Sequence, residues 1–143
     1  MITFLIILIY MAMFCCGMPN SLLGAAWPAM YRDIGAGLSQ AGMITLVISA
    51  SSMIASIGGG FFIKKLGTRN TIISGMVITI FALLGISFSR SLILVCIFAV
   101  FQGIGTNFLD IGVNDYAARK LSGRHMNWLH CAFGLGSTVS PYI

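Results

Sequence analysis

The sequence predicts an all-α fold, a polytopic bundle of transmembrane helices, from three observations. Of 143 residues, 58% are hydrophobic and only 8% are charged. The mean hydropathy is +0.99. The few charges sit in short clusters between long uncharged runs. A soluble domain of this length carries about 25% charged residues, because a small globule has too much surface to cover with apolar side chains. The formal net charge of +5 is not gathered on one charged face, so a nucleic-acid footprint is excluded as a reading and membrane lipid is the expected surrounding. Cys15 and Cys16 are adjacent, and Cys96 and Cys131 stand alone in apolar stretches. No metal spacing or disulfide framework follows from them, and they read as small hydrophobes within helices.

A spanning helix needs about 20 predominantly apolar residues. The first candidate runs from about Thr3 to Pro28. It lacks a basic leader and exceeds the length of a signal-peptide core, so it reads as a retained helix. Gly17, Pro19 and Asn20 interrupt its apolar run, and Gly24 and Pro28 follow. A proline kink accounts for this, and so does a broken helix of the kind tolerated only against protein or a water-filled cavity. The second candidate spans about Leu38 to Ile63, where Ser49, Ser51, Ser52, Ser56 and the run Gly58 to Gly60 point to close helix packing. The third spans about Thr71 to Phe88 and the fourth about Leu92 to Tyr116. The fifth starts near Met126 and is cut off at Ile143, so residues 1–143 read as an incomplete N-terminal transmembrane domain. The tight connections predict antiparallel neighbours.

Lys64, Lys65 and Arg69 follow the second helix, and Arg119, Lys120 and Arg124 follow the fourth. The opposite side holds Arg32, offset by Asp33, and Arg90. The excess of Lys and Arg on one side predicts a multi-pass protein of the cell membrane with a cytoplasmic N-terminus.

The fourth helix carries the chemistry. At 100° per residue, Gln102, Thr106, Asn107, Asp110 and Asn114 share one arc of about 140°, with Ala99 and Gly103 on it. A stripe this coherent lines something wet or bonds to polar partners. Asp110 is an acid inside a spanning segment, which costs about 2.5 to 3.5 kcal/mol on insertion scales. Desolvation favours the protonated form of a carboxyl group, and a proton carrier needs that form within reach of physiological pH. Hydrogen bonding within the bundle, or pairing with a distant Arg, is the structural alternative. Asp115 lies four residues before Arg119, a surface-pair spacing. On the fifth helix, His130 shares a face with Asn127 and Gly134, and Trp128 reads as an interfacial anchor. Phosphate-binding, hydrolase-elbow and zinc-helix signatures are absent, so no enzyme activity, metal or cofactor is expected.

With these residues in place, the chain resembles the major facilitator superfamily. Gly60, Lys65, Gly67 and Arg69 are similar to its G-x-x-x-D-R-x-G-R-R signature, with Lys64 where the family carries an acid. Gln102 Gly103 Ile104 Gly105 resembles its R-x-x-Q-G-x-G segment, with Ala99 at the Arg position. Asp110 to Asn114, Arg119, Asn127 to His130, Gly134, Gly136 and Pro141 look like the fucose-permease-like sugar carriers, although Gly24 stands where fucose permease has a first-helix acid. The resemblance implies about twelve helices in two halves, of which this chain holds one three-helix repeat and part of the next. The rest of the transporter is then a C-terminal part missing from this sequence.

The resemblance also implies transport of a small polar solute, a sugar above all, by proton-coupled alternating access. In that reading Asp110 couples protons with His130 as relay, and Asn114, Asn107, Gln102, Asn20 and Asn127 contact solute. Gly60, Lys64, Lys65, Gly67 and Arg69 form the gating loop. A drug or metabolite exporter of the same superfamily is the alternative, on the partial match of Gly136, Ser140 and Pro141 to the exporters' G-x-x-x-G-P run. A small structural or regulatory membrane protein, complete at this length, is the second.

Overall fold

The computed structural model describes the backbone of residues 2–142 and the side chains of residues 6–19 and 21–142. The described residues form five α-helices, α1 (Ile2–Asp33), α2 (Gln40–Leu66), α3 (Thr68–Phe88), α4 (Leu92–Lys120) and α5 (Gly123–Val139), followed by a 3₁₀ turn, Ser140–Tyr142. Four of them, over Ile6–Asp33, Gln40–Leu66, Thr68–Phe88 and Leu92–Lys120, are long and apolar enough to cross a membrane. The helical bundle class read from the sequence is the class observed.

The helices overrun their apolar cores. α1 continues to Asp33, α2 through Lys64 and Lys65 to Leu66, and α4 through Arg119 to Lys120. Peptide hydrogen bonding does not stop where hydropathy falls, and Lys or Arg in a last turn suits the helix dipole. The expected loop between the second and third helices is thereby reduced to Gly67. Its φ of 79° and ψ of 156° are open to glycine and costly for other residues. The Gly67 N–H caps the Ile63 carbonyl at 2.9 Å, and the Gly67 carbonyl accepts from the N–H of Thr71 at 3.1 Å and from its hydroxyl at 2.9 Å.

α1 is continuous, so of the two readings left open around Pro19 the broken helix is not the one observed. The helix runs through Gly17, Pro19 and Pro28. Proline removes the intrahelical bond to the Cys15 carbonyl, a cost of about 3 kcal/mol in a soluble helix interior. Just before Pro19, the carbonyls of Gly17 and Met18 accept hydroxyl bonds from Ser137 of α5 and Ser140 of the 3₁₀ turn, each at 2.9 Å, which fasten this stretch of α1 to its neighbour.

The chain divides into two compact units, Met1–Ala26 with Val113–Ile143, and Trp27–Gly112. In the first, α1 and α5 pack backbone to backbone. A Cβ added at Gly17 would overlap the Phe133 carbonyl, and one at Gly136 would overlap the Phe14 carbonyl. Ser21 Oγ donates to the Ser137 carbonyl at 2.6 Å. In lipid, tails are as apolar as leucine, so such close van der Waals contact and interhelical hydrogen bonding hold helices together.

The second unit packs α2 and α3 against α4. The buried stripe of α2 is Ile44, Ser51, Ala55 and Gly59, and that of α3 is Thr71, Gly75, Thr79, Ala82 and Ile86, both at helical spacing. Gly75 and Gly105 meet at the α3–α4 seam, and Gly103 meets the Ile48 carbonyl and Ser51 at the α2–α4 seam. Large apolar residues such as Ile57, at 82% exposure, and Phe88, at 81%, point outward as lipid-facing side chains do. Trp27 is 1% exposed, and its indole N–H donates to the Leu38 carbonyl at 3.1 Å, holding the α1–α2 connection.

Candidate functional site

The polar arc of α4 starts with Gln102, which is fully buried. Thr106, one turn on, donates its hydroxyl to the Gln102 carbonyl at 2.9 Å and is itself buried. Gly103, beside Gln102 on the helix, meets Ile48 and Ser51 of α2, so this part of the arc faces protein.

Asn107 reaches another helix. Its Nδ2 donates to Ser52 Oγ on α2 at 3.3 Å, while its Oδ1 is buried without a hydrogen-bond partner. Asp110 follows one turn later and is half-buried, as is Asn114 another turn along the helix, in the other unit. Within Trp27–Gly112, the Gln102–Asp110 stretch of α4 thus presents two amides and a carboxyl group, with an unused acceptor on Asn107. That array can offer hydrogen bonds to a neutral polar solute and a site for one proton.

A groove of about 290 Å³ lies along the same two helices, lined by Ser51 and by apolar residues including Ile54, Phe62, Ile104 and Phe108. None of the predicted polar residues lines it.

On α5, Asn127, His130 and Gly134 are all exposed on one face, and Trp128 is 61% exposed. The buried side of α5 is Leu129 and Gly136. The side chain of Asn20 lies outside the described residues. In the proposed gating segment, Gly60, Lys64, Lys65, Gly67 and Arg69 are all exposed. Gly60, Lys64 and Lys65 belong to α2 and Arg69 to α3, so the segment is helix ends around one glycine. Lys65 stacks its ammonium 5.7 Å from the Phe61 ring centroid. Asp115 and Arg119 form the expected i,i+4 ion pair at 2.9 Å. Arg32 instead bonds the Tyr31 hydroxyl at 3.0 Å and lies over its ring.

Two relationships were not visible in the sequence. Ser52 read as a packing residue and is the partner of Asn107. Tyr10 and His125, 115 positions apart, are hydrogen-bonded at 3.0 Å between Oη and Nδ1. A tyrosine within an apolar run and a histidine beside Arg124 were their only local signals.

Described residues that are helical but for short connections, with four membrane-length helices, small-residue seams and a polar arc on the fourth helix, make a polytopic membrane protein. Residues 9–143 match the family model of the Major Facilitator Superfamily, and the chain belongs to that family of membrane transporters. No curated protein and no solved structure matches it.

Proposed function

We propose that the chain is part of a secondary active transporter that moves a small polar solute, a sugar above all, with protons as the coupling ion. The observation that carries this reading is the Asn107–Asp110 stretch of α4, where an amide with an unused acceptor stands one turn from an intramembrane carboxyl group. Uncharged amide donors and acceptors suit the hydroxyls of a sugar, and a carboxyl group can bind and release one proton per cycle. Gln102, Asn114 and Asn127, with Asn20, are further solute contacts in this reading, and His130 is a proton relay. The helix ends around Gly67, with Gly60, Lys64, Lys65 and Arg69, act as the gate. The chain lies in the cell membrane with its N-terminus in the cytoplasm, and further helices of the same transporter complete the path.

The test is Asp110→Asn in the transporter with its completing helices. Uptake driven by a proton gradient is expected to be lost, while exchange of labelled for unlabelled solute persists. Uptake that still carries protons in the variant would overturn the coupling role. Counterflow against a panel of labelled sugars tests the solute class.

A further inference from the structure

We propose that a cleft between α1 and α5, separate from the polar arc of α4, is a binding site for the headgroup of an anionic phospholipid. The cleft has a volume of about 450 Å³ and is lined by Tyr10 of α1 and by Arg124, His125 and Trp128 of α5. It lies at the start of α5, where Arg124 to Trp128 are in the first turns, and meets α1 at Tyr10, eight residues into a helix that begins at Ile2, about 12 Å along its axis. Arg124 precedes the apolar part of α5, where lipid phosphates border the hydrocarbon core, and the rings of Trp128 and Tyr10 belong to the apolar side.

The side chains fit that occupant. Arg124 is exposed, and its planar guanidinium can hold two phosphate oxygens at once. The nearest acid in the sequence, Asp115, is committed to Arg119 at 2.9 Å, and Arg124 makes no ion pair among the described residues. His125 is oriented by Tyr10, through the 3.0 Å hydrogen bond to Nδ1 and an edge-on ring contact with centroids 6.3 Å apart. When the Tyr10 hydroxyl donates to Nδ1, the neutral imidazole carries its proton on Nε2, which is then a second donor for a phosphate oxygen. Trp128 and Tyr10 are amphipathic rings of the type that gathers at headgroup depth. Aromatic walls below a cationic rim suit a phosphate joined to glycerol and acyl chains, whereas a free phosphate gains nothing from them. No residue of the proposed transport site takes part.

Native mass spectrometry of the full chain, titrated with phosphatidylglycerol and with phosphatidylcholine of matched acyl chains, tests this. Phosphatidylglycerol is expected to bind severalfold more tightly, and Arg124→Gln to cut that preference about fivefold, the worth of one cation at an anionic surface. Arg124→Lys keeps part of the preference, and Tyr10→Phe lowers it by freeing His125. Arg90→Gln removes an exposed charge from another turn and leaves it unchanged. The site is overturned if Arg124→Gln retains the preference, if Arg90→Gln lowers it equally, or if soluble glycerol phosphate displaces the lipid at equal concentration. As a second readout in vesicles, brominated phosphatidylglycerol should quench Trp128 more than brominated phosphatidylcholine does, with Trp128→Phe identifying the signal beside buried Trp27.

Discussion

Asn107 donates one hydrogen bond across the α2–α4 seam, to Ser52 Oγ at 3.3 Å, and keeps a buried acceptor unused. Leaving a buried polar group unsatisfied costs about 1–3 kcal/mol. In the proposed transport reading, a solute hydroxyl donating to Oδ1 would offset that cost. Asn107→Ala is expected to raise the KM for transport about tenfold, with little change in thermal stability. Ser52→Ala should do the same more weakly, by releasing the amide. A stability loss with unchanged KM would assign the pair to packing.

Gly103 and Gly134 are expected to respond oppositely to a methyl group. At Gly103 a Cβ would overlap the Ile48 carbonyl and Ser51 Oγ, so Gly103→Ala must part α2 from α4, and overpacking of this kind costs about 1–3 kcal/mol. At Gly134 no atom lies within 4 Å of the added Cβ, and alanine is the better helix former by about 1 kcal/mol. Thermal melts in detergent should show Gly103→Ala lowering the midpoint and Gly134→Ala holding or raising it.

Gly67→Ala tests the α2–α3 junction. Open space surrounds the position, so the φ of 79° with ψ of 156° is the whole obstacle. Backbone in this glycine-only region costs about 1–3 kcal/mol for other residues. The variant is expected to melt lower by that amount, and a melt equal to that of the parent would show that the junction relaxes without penalty.

The membrane helices were legible because hydropathy over about 20 residues reports directly on transfer into lipid. Their ends were not. Lys64, Lys65 and Arg69 read as a loop, yet all three are helical, since a charged side chain in water leaves the backbone ladder intact. The arc holding Gln102, Asn107 and Asp110 was legible from the 100° period of a single helix. Its partner Ser52 was not, because the rotation of α2 against α4 is set by Gly103 meeting Ile48 and Ser51, a three-dimensional fact. The hydroxyls beside Pro19 were not legible for a related reason: they belong to Ser137 of α5 and Ser140 of the following turn, more than 100 residues away in the sequence.

The single residue between α2 and α3 has a mechanical consequence. Sliding one helix past another by a full turn takes about 5.4 Å, whereas successive Cα atoms are about 3.8 Å apart. With Gly67 as the only non-helical residue at the junction, no slack exists for such a ratchet. Any axial push on α2 is handed to α3 undiminished, and the two helices behave as one folded strut that can swing about its elbow but cannot telescope.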